Sequence, residues 1–200
     1  MAQEQQAITG VILAGGKSSR MGQNKALMTL GGKRLVDRVL EVMRAVFDTL
    51  LLVTNTPTVY ADLGVRMVPD VWAEAGALGG IYSALQQAAT PSCLVVACDM
   101  PFLQAALLRY LVAQRRDYDV VVPDVHDELQ TLHAVYSQDC VAPIERCLAA
   151  QRLRVISFFP EVRVRTVTTS EVLPHDPQLL AFHNVNTPED WRTAEQLAHG

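Results

Sequence analysis

Short apolar runs alternate with segments of helical periodicity along the first part of the chain. Runs rich in Val, Ile and Leu predict buried strands at 8–13, 50–53, 65–68, 93–97 and 120–123. Apolar positions spaced three and four apart predict helices at 35–47, 77–88 and 104–114. Such alternation is typical of βαβ units. We therefore predict an α/β, Rossmann-like fold with a mostly parallel central sheet and helices on both faces.

The second half of the chain is less regular but still contains both kinds of pattern. It predicts strands at 131–136 and 162–167 and helices at 138–150 and 189–197. Thr187 is suited to cap the last helix, with Pro188 at the first helical position. No repeat, low-complexity segment or long linker interrupts the sequence, so we expect one domain over residues 1–200.

Composition narrows the class of protein. The 200 residues are 50% hydrophobic and 19% charged, as in a globular protein, and the net charge of -4 argues against broad binding to nucleic acid. The N-terminus does not resemble a secretory signal, and no apolar stretch approaches the roughly 20 residues that span a bilayer. We expect a cytoplasmic protein with no membrane or nucleic-acid partner. The four cysteines form no Cys-x-x-Cys pair, which favours buried, reduced thiols over a zinc site.

The loop that follows the first predicted strand has the composition of a phosphate-binding loop. Gly15 and Gly16 allow positive φ angles and close approach to a ligand, and successive backbone N–H groups can bind an anion. The loop carries three cations and no acid: Lys17, Arg20 and Lys25. The spacing fits neither a Walker A loop nor the dinucleotide fingerprint. The glycines together with the three cations favour a triphosphate site over a basic surface turn.

Polar residues also follow the later predicted strands, and the carboxyl ends of parallel strands share one edge where ligands bind. Asp99 follows a buried run and is suited to bind Mg²⁺, which prefers carboxylate and phosphate oxygens; a capping acid is the alternative. Asn55 and Asp70 are candidates for contact with the nucleotide, or simple turn residues. The glycine-rich segment 76–80 either presents backbone to a base or forms a glycine-rich helix entrance.

The motif LAGG-x3-RMG-x2-K at 13–25 resembles the signature of nucleotidylyltransferases similar to the molybdenum cofactor guanylyltransferases. The resemblance implies Mg²⁺-dependent transfer of GMP from GTP to the phosphate of molybdenum-bound molybdopterin, with release of pyrophosphate. It implies catalytic roles for Arg20, Lys25 and Asp99, with Asp99 as the metal ligand. The nucleotide-binding residues that it implies are Leu13, Ala14, Gly15, Gly16, Lys25, Asn55, Asp70, Leu78, Gly79 and Asp99.

Two other functions remain open at this point. Many cytidylyl and sugar-1-phosphate enzymes of the wider superfamily resemble LAAG at the start of the loop, whereas this chain has Gly15 in the third place, which favours the guanylyl branch. The absence of Asp-x-Asp at residue 99 argues against sugar transfer. A non-catalytic nucleotide-binding adaptor is the alternative of another class.

Three later segments extend the resemblance to the acceptor side, so we expect nucleotide binding from about 1–125 and acceptor binding from about 126–200. The segment 130–136 resembles a strand near the acceptor, with Thr131 where many relatives have proline. The resemblance implies that Arg154, Asn184 and Asn186 orient the acceptor. His133 lies in an apolar strand and is interpreted as a core histidine. The resemblance also implies transient docking to molybdenum-insertion enzymes and molybdoenzymes.

Overall fold

The computed structural model describes residues 8–15 and 24–199. The main sheet has the strand order β10-β7-β9-β6-β1-β4-β5, the short β8 pairs with β7, and β2 and β3 form a separate hairpin. The strands are β1 (Ile8–Leu13), β2 (Thr29–Leu30), β3 (Lys33–Arg34), β4 (Thr49–Val53), β5 (Arg66–Val68), β6 (Ser92–Ala97), β7 (Val120–Val125), β8 (Glu128–Leu129), β9 (His133–Ser137) and β10 (Val164–Thr168). The helices are α1 (Leu35–Arg44), α2 (Gly76–Gln87), α3 (Ala105–Ala113), α4 (Val141–Ala149), α5 (Thr169–Val172) and α6 (Pro188–His199).

The predicted mostly parallel sheet is confirmed. Strands β6, β1, β4 and β5 run parallel to one another, and β10 runs parallel to β7. Strand β9 is antiparallel to both of its neighbours, β6 and β7. In the register of the sheet, Leu13 lies between Val53 and Ala97. The carboxyl ends of the three central strands are therefore level, and the residues that follow them begin at the same edge.

Helices cover both faces of the sheet, as predicted. Alternate residues of β1 belong to different cores: Ile12 packs with the apolar stripes of α1 and α3, whereas Val11 packs with those of α2 and α4. Central strands buried on both faces read as continuous apolar runs, which explains why β1 and β6 are so apolar. Burial of each large aliphatic side chain contributes about 1.5–3 kcal/mol, so the sheet is a firm support for its edge.

A third, smaller core holds the C-terminal segment beside the hairpin. Leu30 and Leu35 pack against Val185 and Ala194, with Trp191 at the border of the cluster. The chain enters α6 through a reciprocal cap, because the Asp190 N–H donates to Thr187 Oγ1 (3.2 Å) and the Thr187 N–H donates to Asp190 Oδ2 (2.7 Å). The predicted capping role of Thr187 is confirmed.

Several element boundaries differ from the predictions. The helix predicted at 35–47 ends at Arg44, where the chain turns through Ala45 toward β4. The strand predicted at 131–136 begins only at His133, whose N–H closes a turn by donating to Gln130 O (3.0 Å). The helix predicted at 138–150 divides into a 3-10 turn, Gln138–Cys140, and α4.

Two further findings bear on composition. Within the described ranges, none of the helices has the length and apolar character needed to cross a membrane. All four cysteines are free, and three are buried, in agreement with the expected reduced thiols. The sheet continues without a break past residue 125, and the expectation of one domain stays a prediction.

Candidate functional site

The site lies at the edge where β1, β4 and β6 end. The chain leaves β1 still held by its neighbours, since the Ala14 N–H donates to Val53 O (2.9 Å) and the Cys98 N–H donates to Leu13 O (3.1 Å). These bonds place the start of the predicted phosphate loop beside the segment that carries Asp99. The described ends of the loop, Ala14–Gly15 and Asn24–Lys25, are consistent with the predicted meeting of the loop with Asp99, which stays a prediction for residues 16–23.

Lys25 is held in place from several directions. Asn24 caps a short 3-10 turn, accepting from the Ala26 N–H through its side-chain oxygen (3.1 Å), and its Nδ2 donates to the hydroxyl of the buried Tyr60 (3.0 Å). The half-buried Lys25 begins that turn, and its Nζ donates to both the backbone oxygen and Oδ1 of Asn186, each at 3.0 Å. A predicted nucleotide residue and a predicted acceptor residue thus touch directly.

Asp99 stands at the centre of this edge. It is half-buried, and its backbone oxygen accepts from the Val185 N–H (3.0 Å). Burial raises the pKa of its carboxyl group, and its own backbone N–H and the positive charge of Lys25 partly offset that rise.

The surroundings of Asp99 fit one kind of metal site. In the described residues, no group of three or more His, Cys, Asp or Glu side chains converges, so a cation held entirely by protein is not built there. None of the ion pairs in those residues uses Asp99. A single half-buried carboxylate suits Mg²⁺, which commonly takes one or two carboxylates and completes its shell with phosphate oxygens and water.

Asn55 and Asp70 form a reciprocal pair at the ends of β4 and β5. The Asp70 N–H donates to Asn55 Oδ1 (2.9 Å), and Asn55 Nδ2 donates to Asp70 O (3.3 Å). Asp70 Oδ1 also accepts from the Trp72 N–H (2.9 Å) and from the Ser83 hydroxyl (3.2 Å). The Asp70 side chain therefore organises a turn, and its predicted contact with the nucleotide stays a prediction.

The entrance of α2 is shaped by close packing. A Cβ added at Gly79 would lie 2.5 Å from the Trp72 backbone oxygen and 3.1 Å from Asp70 Oδ1, so only glycine fits there. Leu78 is fully buried, and its predicted contact with the nucleotide stays a prediction. Gly76 begins the helix with φ +59, and the first N–H groups of a helix are free to bind a ligand.

The described start of the phosphate loop corrects one expectation. Gly15 is exposed and does not adopt a positive φ, so the conformational reason given for a glycine at this position is wrong. A Cβ added to Gly15 would meet no atom of the described residues within 4 Å. Packing therefore does not require a glycine here, and close approach of a ligand to Gly15 stays a prediction. Three predicted loop residues lie outside the described residues: Gly16, Lys17 and Arg20.

The predicted acceptor residues fall in two places. Asn186 is exposed and contacts Lys25, whereas Asn184 has a buried Oδ1 atom with no hydrogen-bond partner. Arg154 is exposed at the start of a 3-10 turn, and its neighbour Leu153 packs toward the α2–α4 face. No hydrogen bond in the described part of the chain joins Arg154 to either asparagine, and its acceptor role stays a prediction.

His133 is completely buried, in agreement with its interpretation as a core residue. Burial lowers the pKa of its imidazole to about 3, so the ring is neutral at physiological pH. Its ring packs against that of Phe182 with centroids 5.0 Å apart. Neither ring nitrogen has a hydrogen-bond partner among the described residues, which an ordinary core histidine would have.

Sequence reasoning missed the groups that position the site. Asp190 falls within the predicted helix 189–197 and received no site role, yet its Oδ2 accepts from the N–H groups of both Asn186 (2.9 Å) and Thr187 (2.7 Å). Burial raises the pKa of Asp190, but these two backbone donors, the Thr187 side chain and the charge of His183 together outweigh that effect, and the pKa is lowered overall. The capping pattern of Thr187 followed by an acid three residues later was the available signal.

The chain was compared with known protein families and sequences. Residues 10–163 match the model of the MobA-like NTP transferase domain. A probable molybdenum cofactor guanylyltransferase of Pelotomaculum thermopropionicum is 45% identical over 95% of this chain and 93% of its own length. A molybdenum cofactor guanylyltransferase of Desulfosudis oleivorans is 37% identical over 94% of this chain and 95% of its own length.

The fold was also compared with solved structures. The crystal structure of molybdopterin-guanine dinucleotide biosynthesis protein A from Archaeoglobus fulgidus is similar, with a TM-score of 0.84 and 26% identity. The match covers 96% of this chain and 98% of that one. The similarity of fold therefore extends over nearly the whole of both chains.

Proposed function

The chain belongs to the MobA-like NTP transferase family, and on this premise we propose that it transfers GMP from GTP to the phosphate of molybdenum-bound molybdopterin. Pyrophosphate leaves as the new phosphate–phosphate bond forms. Nucleotidyl transfer is the activity of the family as a whole, and the names of the guanylyltransferase relatives support the choice of GTP and of a molybdopterin acceptor.

The observation that carries this proposal is the contact between Lys25 and Asn186 beside Asp99. It brings the end of the triphosphate loop and the start of the C-terminal helix into one hydrogen-bonded cluster. A donor bound on one side and an acceptor bound on the other then meet at the same carboxylate. Two reactants held in this way react as in a unimolecular step, which lowers the barrier by several kcal/mol, up to about 10.

The side chains present are sufficient for the chemistry. An acceptor phosphate is already an anionic nucleophile, so the reaction needs no strong general base. The neutral, enclosed His133 is consistent with this, since it has no access to a reacting oxygen. Lys25 binds the triphosphate and offsets the charge that develops on the departing pyrophosphate. Arg20, for which the motif alone gives support, shares that task.

We propose Mg²⁺ as the cofactor, held by Asp99. When bound, the ion supplies neutralisation of phosphate charge. Asp99 supports this assignment because it is a single half-buried carboxylate without an ion-pair partner in the described ranges. Its neighbour Cys98 takes no part, because burial and the adjacent Asp99 carboxylate raise the pKa of the thiol to about 12.

The test is single-turnover transfer with purified protein, Mg²⁺ and molybdenum-bound molybdopterin, following pyrophosphate release. We expect release with GTP and much less with CTP or UTP in parallel reactions. Preference for CTP would instead support a cytidylyltransferase, and transfer to a sugar 1-phosphate would support the sugar branch. Tight GTP binding with no pyrophosphate released would favour a non-catalytic adaptor.

We also propose that the protein works in the cytoplasm and receives its acceptor by transient docking. Free thiols are typical of a reducing compartment, and a labile acceptor is protected by direct transfer between proteins. The expected result is faster turnover when the acceptor is presented on a molybdenum-insertion enzyme than when the same concentration is free. Equal rates would contradict docking.

A further inference from the structure

A buried tyrosine is hydrogen-bonded to the residue that precedes Lys25. Asn24 Nδ2 donates to the Tyr60 hydroxyl (3.0 Å), and the hydroxyl in turn donates to Asn24 Oδ1 (3.3 Å). The same Oδ1 atom accepts from the Ala26 N–H (3.1 Å) and so caps the 3-10 turn that begins at Lys25. Because both ends of the amide have partners, its orientation is fixed. The backbone of Lys25 is therefore held between Asn24 and Ala26.

Tyr60 is a rigid support for this contact. It is 2% exposed and belongs to the same core as Ala26. Burial raises the pKa of its hydroxyl, and the hydrogen bond with Asn24 offsets that rise only in part, so the hydroxyl stays protonated at physiological pH. The ring lies on the 3-10 segment Pro57–Leu63, which follows β4. A segment after β4 thus supports the end of the phosphate loop that follows β1.

Burial alone does not explain the partner of this hydroxyl. Tyr136 of β9 is equally buried, and its hydroxyl donates to a backbone oxygen, that of Thr131 (2.6 Å). Tyr60 is paired instead with a side chain that also caps the turn of Lys25. Burial therefore accounts for the need of Tyr60 for a partner, but not for the choice of the side chain next to the lysine.

Lys25 needs positioning because its side chain is long and flexible. Its Nζ donates to the backbone oxygen and to Oδ1 of Asn186, each at 3.0 Å. An ammonium group has three N–H donors, so within the described residues one remains beyond these two contacts for a phosphate oxygen. The direction of that donor depends on where the turn holds the backbone of Lys25.

We propose that Tyr60 is a positioning residue that acts through Asn24 to hold the turn from which Lys25 reaches the triphosphate. This inference rests on the proposed function, and it assigns Tyr60 no contact with a substrate. A small displacement of a catalytic group lowers the rate more than it weakens ground-state binding, because the transition state requires a closer fit. Removal of the hydroxyl should therefore lower kcat more than it raises the dissociation constant for GTP.

The first experiment compares Tyr60→Phe with Tyr136→Phe, a matched control that also removes one buried, hydrogen-bonded hydroxyl. The melting temperatures of the two variants should fall by similar amounts. For Tyr60→Phe we expect the dissociation constant for GTP to rise about three- to tenfold, which is equivalent to one net hydrogen bond, and kcat to fall by about 10- to 100-fold. The dissociation constant for GTP should be unchanged in Tyr136→Phe.

A double-mutant cycle tests whether Tyr60 acts through Lys25. In a Lys25→Ala background, the Tyr60→Phe change should have no further effect on GTP affinity or on kcat, because the group that it positions is gone. Asn24→Ser keeps an oxygen that can cap the Ala26 N–H but lacks the amide that contacts Tyr60. It should reproduce the losses of Tyr60→Phe, and the two changes together should cause no greater loss than either alone.

Three results would overturn the proposal. Equal effects of Tyr60→Phe in the wild-type and Lys25→Ala backgrounds would show that the tyrosine acts on the fold as a whole. Unchanged GTP affinity and kcat in Tyr60→Phe would show that the hydroxyl has no role, and an equal loss of GTP affinity in Tyr136→Phe would assign the effect to stability. If the wild-type chain binds GTP but transfers no GMP, the proposed function fails, and the GTP-binding cycle still decides the role of Tyr60.

Discussion

The half of the sheet edge that we propose to bind the nucleotide and the half that we propose to bind the acceptor differ in how their polar side chains are hydrogen-bonded; they are called the nucleotide half and the acceptor half below. In the nucleotide half, Asn55 pairs with Asp70, and Asn24 pairs with Tyr60. In the acceptor half the described chain keeps buried, unpartnered atoms, which belong to Asp124, His133 and Asn184. The first half is preorganised by its own hydrogen bonds. In the second half the described residues leave these atoms unpaired, so we expect the two halves to respond differently to mutation.

The strongest test of the comparison removes the group that both halves share. Asp99→Ala should lower kcat about 1000-fold or more, because it removes charge stabilisation worth several kcal/mol in the transition state. The melting temperature should not fall, since none of the described ion pairs uses this carboxylate. Single-turnover rates and thermal unfolding check this, with Asp48→Ala as the control at an exposed position before β4. Wild-type turnover in Asp99→Ala would exclude the metal role.

Lys25→Ala tests the contact between the halves. Charge-assisted hydrogen bonds contribute about 1.5–3 kcal/mol, so kcat/KM for GTP should fall by about 10- to 150-fold. Both GTP affinity and rate should decline, because the same ammonium binds the triphosphate before and during transfer. Lys33→Ala is the matched control, since that lysine forms an exposed ion pair with Glu41. An equal loss in the control would assign the effect to general surface charge.

Within the nucleotide half, Gly79 and Gly15 should respond to mutation in different ways. Gly79→Ala should destabilise the fold by about 1–3 kcal/mol, because its Cβ would lie 2.5 Å from the Trp72 oxygen and the turn must shift. Denaturant unfolding measures this loss. Gly15→Ala should leave stability unchanged and weaken GTP binding, since its Cβ enters space that the described residues leave open. Loss of stability in Gly15→Ala with unchanged GTP binding would refute the proposal that GTP occupies that space.

The smallest expected effect is a loss of stability at acidic pH that is caused by His133 in the acceptor half. The unfolded chain protonates His133 near its ordinary pKa of 6.5, whereas the folded chain resists protonation down to about 3. The unfolded state therefore binds more protons in this window, and stability falls as pH falls below 6.5. Between pH 7 and 5.5 the loss should be about 1 kcal/mol in the wild type and absent from His133→Leu. Parallel pH dependence of unfolding in the two proteins would show that other groups cause it.

Much of the fold was accessible from the sequence because buried parallel strands leave a simple signal. The bounds of β1 agree with the predicted run at 8–13, and β6 begins only one residue earlier than predicted. The location of Asp99 at the ligand-binding edge followed from the rule that ligands bind at the carboxyl ends of parallel strands. It did not depend on the neighbours of Asp99 in the sequence. Boundaries at helix ends were less accurate, since a turn such as that after Arg44 depends on where the next strand must start.

The arrangement of the site was less accessible, because it depends on non-local contacts. Lys25 and Asn186 are separated by 161 positions, and no pattern in a single sequence joins them. His133 was interpreted as an ordinary core residue, since a sequence cannot show whether a buried nitrogen has a partner. The packing of Gly79 against Trp72 was not foreseen, and its predicted contact with a base stays a prediction.

The reversal of β9 has a consequence for how this enzyme family can diversify. The loop that follows each parallel strand lies at the edge of the sheet where ligands bind. Because β9 runs in the opposite direction, the loop that lies at this edge is the one before it, the 126–132 hairpin. This hairpin begins with positive φ angles at His126 and Asp127. We expect that this hairpin can change in length and composition without disturbing the residues that we propose to bind GTP. Grafting hairpins from relatives with other acceptors is therefore a direct route to new acceptor specificity on an unchanged nucleotide platform.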